Sequence, residues 1–152
     1  MREILFRGKR TDNGEWAYGC LLNKIYGARN PAIISDQGVN DDFNLDFEYT
    51  YVEEETIGQY TGLTDKNGKK IFEGDLLDGF SYPYVFEEDH NYFAEVVWFY
   101  DCYAFGLHTH KYPTSDVRGC SDGNCDYMED FDSSEWEVIG NIYDNPELLE
   151  RR

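Results

Sequence analysis

The sequence predicts an all-β or β-dominated fold, mainly antiparallel, a small barrel or sandwich ending in one short C-terminal helix. Three observations predict it. Several stretches alternate apolar and polar residues with period two. Turn signals built on Asn-Gly and Pro fall between those stretches. Aromatic residues, which favour pleated and half-buried surfaces, make up 17% of the 152 residues. That length suits one domain, 1–152. A hydrophobic content of 41% is enough for a core rather than a disordered chain.

The elements follow in order. MREILFRGKR at the N-terminus alternates like a strand and has no apolar run after its charges, so it reads as part of the fold and not as a secretory signal. Asn13-Gly14 is a turn. In Glu15–Leu22, Trp16, Tyr18, Cys20 and Leu22 share one side, and Cys20 is expected to behave as a small core hydrophobe. Asp41–Leu45 has the composition of a short helical turn. In Phe47–Val52, Phe47, Tyr49 and Tyr51 oppose Glu48, Thr50 and Val52. Phe93–Tyr100 is apolar nearly throughout and reads as a central strand. In Trp136–Tyr143, Trp136, Val138 and Ile142 oppose Glu137, Ile139 and Asn141. Tyr82-Pro83 and Ser121–Asn124 are further turns. The closing helix begins at Asn145 as cap, with Pro146 at its first position and Glu147 complementing the N-terminus. Leu148 and Leu149 must dock for so short a helix to persist.

Thr64–Leu77, TDKNGKKIFEGDLL, poses a choice between a phosphate loop and a turn feeding a strand. A phosphate loop needs more glycines, a strand before it and a helix after it. Here Asn67-Gly68 is a tight-turn dipeptide and a strand follows, so the turn reading is favoured. Gly74 permits a bend, and Asp75 can accept hydrogen bonds from nearby backbone. DNGEWAYGCLL and KNGKKIFEGDLL echo one another, with Gly19 and Gly74 marking a bulge or bend in each.

The formal net charge is −18, and no Lys or Arg occurs from Asn30 to Asp65, Ile71 to His110 or Gly119 to Glu150. Such a surface repels phosphates, so direct nucleic-acid binding is not expected. No run approaches the roughly 20 apolar residues of a membrane helix. The expected location is the cytoplasm, with the four cysteines as free thiols.

Candidate chemistry is sparse. Cys102, His108, His110, Cys120 and Cys125 fall within a short span and offer nitrogen and sulfur ligands, but C-x4-C is loose for zinc and H-x-H is not a finger spacing. Asp122, Asn124 and Asp126 read D-x-N-x-D. Tyr127 then stands where a calcium loop needs Gly, and Ser133 where it needs Glu. With 31 acidic residues, no single carboxylate pair is informative. Glu53–Glu55 and Glu87–Asp89 read as solvated segments. Ser115 beside Asp116 makes no triad with the histidines. No catalytic, cofactor-binding or metal-ligating residue is therefore assigned, and no cofactor is expected. Tyr82, Tyr84, Phe86, Tyr92, Phe93, Trp98, Phe99 and Tyr100 form an aromatic cluster. Most read as core, and Tyr or Trp left at a rim would serve as protein-binding anchors.

Three blocks, REILFRGKRTDNGEWAYG at Arg2–Gly19, TIGQYTGLTDKNGKKIFEGDLL at Thr56–Leu77 and EVIGNIYDNPELL at Glu137–Leu149, together resemble the YopX-like family of phage and prophage proteins. The resemblance implies a β-rich, oligomeric, phage-encoded protein without an established activity, and supplies no catalytic residue. Segments 30–55 and 109–132 read as variable acidic insertions. The leading functional expectation is a non-enzymatic accessory protein in the host-cell cytoplasm, acting by protein–protein contact, as a homo-oligomer or with a host or phage partner. The alternatives are an acidic DNA-mimic inhibitor of a host DNA-binding protein and a hydrolase or metal enzyme.

Overall fold

The computed structural model describes residues 1–23, 27–39, 45–80, 92–100, 103–109, 125–128 and 132–149. They fall into two compact units, Met1–Tyr60 and Thr61–Arg152. Every strand pairing specified by register is antiparallel. Among the described residues the only helical segments are single 3₁₀ turns.

The first unit contains β1 (Phe6–Lys9), β2 (Trp16–Leu22), β3 (Ala32–Val39), β4 (Leu45–Tyr51) and the start of β5 (Gly58–Thr64), in the order β4-β3-β2-β1-β5. Asn13-Gly14 makes the β1–β2 turn. The Asn13 Oδ1 accepts from the Glu15 N–H at 2.9 Å, and the Gly14 N–H donates to the Arg10 carbonyl at 3.0 Å. The sheet then curls back on itself. Arg10 bridges Val52, the Thr11 N–H donates to the Tyr51 carbonyl, and the Glu53 N–H donates to the Lys9 carbonyl. Ile33 and Val52 are buried by this curl. Thr56 secures it, its hydroxyl accepting from the Lys9 N–H at 2.8 Å and donating to the Glu53 carbonyl at 2.7 Å.

Gly19 lies inside continuous β2 and not at a bend. A Cβ there would run into the backbone carbonyl oxygen of Ile34, so what the position requires is close approach of β3. Gly74, by contrast, does mark a turn, with φ of +87°.

The second unit contains the end of β5, which lies beside β6 (Lys70–Phe72), and a five-stranded sheet. That sheet comprises β7 (Asp75–Phe80), β8 (Tyr92–Phe99), β9 (Ala104–Thr109), β10 (Cys125–Tyr127) and β11 (Glu137–Asn141), in the order β10-β9-β8-β7-β11. β8 is central, as its near-continuous apolar run requires. One cluster of buried side chains forms the core: Ile71, Leu77, Ala94, Val96, Leu107, Met128, Trp136 and Val138. Phe105 packs against it, edge-on to Trp98 at 4.8 Å. In β11 the register shifts between Val138 and Gly140. The shift changes the phase of alternation, so Val138 and Asn141 are both buried although they stand three positions apart.

The C-terminal element is one 3₁₀ turn, Pro146–Leu148, with Pro146 at its start. Asn145 does not cap it with its side chain; its Oδ1 instead accepts from the Asn141 N–H at 3.3 Å. Leu148 and Leu149 are half-buried. The helical turn expected at Asp41–Leu45 falls mostly outside the described residues, and Leu45 itself opens β4.

Candidate functional site

Asp65 and Asp75 are the buried acids among the described residues, and both are spent on backbone. Asp65 Oδ1 accepts from the N–H groups of Asn67 and Lys69, at 2.8 and 2.9 Å, closing the Asn67-Gly68 turn. Its Oδ2 accepts from the Val138 N–H at 3.0 Å, tying that turn to β11. Burial works against the ionised form of Asp65, but the N–H groups of Val138, Lys69 and Asn67 outweigh it and hold the carboxyl below its ordinary range. Lys66 strengthens the same junction. Its N–H donates to the Trp136 carbonyl at 2.8 Å, and its Nζ meets Glu137 Oε2 at 2.8 Å.

Asp75 Oδ2 accepts from the Phe72 N–H at 2.8 Å across the Glu73-Gly74 turn. Gly74 is held from two directions, its N–H donating to the Val96 carbonyl and its carbonyl accepting from the Ile142 N–H. The stretch TDKNGKKIFEGDLL is thus two tight turns clasped to β8 and to Trp136–Ile142. Carboxylates whose lone pairs are taken by backbone donors hold a fold together. They are poorly placed to exchange protons with a substrate.

The second candidate is an outward sheet face on the first unit. Opposed residues in an antiparallel ladder lie on one face. Cys20, Ile34 and Tyr49 form one such row across β2, β3 and β4, and Leu22, Ala32 and Tyr51 form the next. Tyr49 is 58% exposed, Tyr18 47%, Leu22 40% and Tyr51 38%. Cys20 is exposed as well, against the expectation of a core hydrophobe. The Tyr49 and Tyr51 rings meet edge-to-face, 5.7 Å apart. Toward β1 the same face carries Arg7 and Lys9, whose cationic groups lie 4.5 and 5.6 Å from the Trp16 ring centre. Arg7 is buried there, so its charge is committed within the chain.

Several sequence candidates fall outside the described residues: Cys102, His110, Cys120, Asp122, Asn124, Ser115, Asp116, Tyr82, Tyr84, Phe86 and Glu87–Asp89. Of the metal candidates, the β-ladder sets Cys125 opposite His108, and His108 opposite Glu95 on its other side. Among the described residues no group of three His, Cys, Asp or Glu side chains could hold a metal ion. In the aromatic cluster, Tyr100 is exposed, Phe99 buried and Trp98 half-buried. Sequence reasoning looked for rim aromatics there and overlooked Tyr18, Tyr49 and Tyr51. The available signal was the spacing of Tyr49 and Tyr51 two apart, with Val52 in the opposite phase able to serve as the buried side.

Among the described residues no helix is long and apolar enough to cross a membrane. No curated protein matches the chain. A solved structure, the crystal structure of protein EF1440 from Enterococcus faecalis, is similar in fold. It has a TM-score of 0.51 and 24% identity, over 98% of this chain and 99% of that one. The clasp binds two of the three family-like blocks together, Thr56–Leu77 and Glu137–Leu149. The family model described as YopX protein matches residues 5–150, spanning all three, and the chain belongs to the YopX family.

Proposed function

We propose that this protein is a phage- or prophage-encoded accessory protein of the host-cell cytoplasm, non-enzymatic, that works by protein–protein contact as a homo-oligomer. The observation that supports this reading is the exposed tyrosine face of β2, β3 and β4. Tyr side chains combine large apolar area with a polar tip and lose little conformational freedom on contact, which is why they anchor protein interfaces. The buried acids point the same way, since Asp65 and Asp75 are occupied by backbone donors. A DNA mimic needs rows of carboxylates at phosphate-like spacing; the rows on this face are aromatic and aliphatic.

The test is affinity capture from induced host cells, with wild-type chain and a Tyr49→Ala/Tyr51→Ala variant as paired baits. Recovery of a partner, or of untagged copies of the chain, by the wild type alone is the expected result. A wild-type chain that neither self-associates nor retains any specific protein would overturn the proposal.

A further inference from the structure

We infer that the tip of the β8–β9 hairpin, carried by Tyr100 and Tyr103, is a docking site for an arginine-bearing segment of a partner protein. The inference rests on the protein-contact reading above; it adds a second surface, on the other unit, and names the chemistry that surface takes. Phe99 and Ala104 are the last paired residues of β8 and β9, so Tyr100 and Tyr103 are the first residues beyond the ladder. Each is 79% exposed, more than any other large apolar side chain among the described residues except Met1. Tyr103 also holds φ of +53°, and among the described residues no other non-glycine has a positive φ. Glycine or asparagine is the ordinary occupant of that conformation, and a bulky side chain there works against stability. A ring left in solvent on a strained backbone gives the fold less than a glycine would, which points to a role in contact.

The base that presents the two rings is firmly built. Successive pairs of the ladder face opposite sides of the sheet. On one side the Phe99 ring lies over Gly106, where a Cβ would run into it, and meets Tyr127 edge-on at 6.0 Å. On the other side Trp98 meets Phe105, which packs against the core. The strand ends that carry Tyr100 and Tyr103 are thus fixed before any contact, which lowers the ordering cost of binding. Charge selects the occupant. No Lys or Arg stands from Ile71 to His110, and Asp101 lies between the two tyrosines in the sequence. Such a stretch repels phosphates and anionic lipid, and a second copy brings the same −18. A cation is attracted both by carboxylates and by the faces of tyrosine rings. Arginine suits the pair better than lysine, because its planar, weakly hydrated guanidinium stacks on a ring while its N–H groups bond a carboxylate.

The experiment titrates the full chain with an octa-arginine peptide and, separately, with an octa-lysine peptide of equal charge, by calorimetry at physiological ionic strength. Wild type is compared with Tyr100→Ser/Tyr103→Gly and with the conservative Tyr100→Phe/Tyr103→Phe, neither of which alters the net charge. Wild type is expected to bind octa-arginine more tightly than octa-lysine. The first variant is expected to bind octa-arginine about ten-fold more weakly, the loss of two exposed cation–π contacts, and the conservative variant to bind as wild type does. Tyr103→Gly alone is expected to keep or raise the thermal midpoint. Equal octa-arginine affinity in wild type and the first variant would reduce binding to general attraction by an acidic surface and overturn the inference, as would no binding by wild type. A lowered midpoint for Tyr103→Gly would overturn it by making that ring part of the packing. An oligomer that the first variant dissociates would give the tip to a second copy and also overturn it. Failure here with capture through Tyr49 and Tyr51 intact would leave the protein-contact reading standing; failure of both would remove both.

Discussion

The two units of the chain use the same sequence pattern in opposite senses. In the second unit the apolar phase turns inward: Ala94 and Val96 on β8, and Trp136 and Val138 at β11, meet in one core. In the first unit the large apolar phase of β2 and β4 turns outward, exposing Tyr18, Cys20, Leu22, Tyr49 and Tyr51 while Ile33 and Val52 are buried. Alternation therefore reports that a strand has two unlike faces. It does not say which face meets the core.

The largest loss of stability is expected at Trp136. It is fully buried in the second unit, so Trp136→Ala is expected to cost about 3–5 kcal/mol in denaturant unfolding. Tyr49→Ala, the outward counterpart, is expected to stay within about 0.5 kcal/mol in the same measurement. Comparable losses at both sites would mean that the outward face is core after all.

Gly19 tests how tightly the first unit is built. Gly19→Val places side-chain atoms against the Ile34 carbonyl and is expected to cost about 1–3 kcal/mol, read as a lower thermal midpoint. An unchanged midpoint would show that β2 and β3 can separate at that point without loss.

Asp65 sharpens the account of the second unit. Asp65→Ala leaves the Val138 N–H buried without its acceptor, at a cost of about 1–3 kcal/mol. The folded carboxyl lies below its ordinary value of 3.8. Its contribution to stability is thus complete above the unfolded-state pKa and is lost as pH falls through the depressed folded one. Wild-type stability is expected to drop as pH is lowered below 3.8, and Asp65→Asn to flatten that part of the profile. Parallel profiles for the two proteins would remove Asp65 from the acid response.

The smallest effect is expected at Arg10–Asp12. This exposed pair, 2.8 Å apart, raises the guanidinium pKa and lowers that of the carboxyl, chiefly through their own hydrogen bond. Solvent screens it, so Asp12→Asn is expected to leave the thermal midpoint unchanged. A clear loss would show that the β1–β2 turn depends on the ion pair as well as on Asn13.

Much of the second unit was legible because its signals are local. Asn67-Gly68 specifies a turn through two residues, and Asp75 finds its donor three residues away at Phe72. β8 announces its central place by being apolar on both faces. The Asp65–Val138 bond was not legible, because 73 residues separate donor and acceptor and an Asp in a turn looks alike whether its second oxygen is used or not. The short C-terminal turn formed where expected, but its side-chain cap did not, for a similar reason. Asn145 has the chemistry of a cap, but the Asn141 N–H competes for its side chain, and only the folded turn brings that donor within reach.

The sequence by itself determined that this is a β protein of the YopX family, that it carries a large negative charge, and where the Asn13-Gly14 and Asn67-Gly68 turns fall. Those properties depend on residues near one another in the chain or on simple sums over it. Tertiary structure alone decided which phase of each strand is buried. Rotating the β2–β4 sheet by half a turn would exchange Tyr18, Cys20 and Leu22 for Ala17, Gly19 and Leu21 on the more exposed side of β2 without altering one local preference, while β4 exposes Glu48 as well as Tyr49 and Tyr51. The exchange is prevented by distant contacts: Arg10 bridging Val52, Thr56 bonded to Lys9, and Gly19 admitting the backbone of Ile34. Burial is a property of the assembled sheet, set by what covers each face, and no window of sequence contains that information.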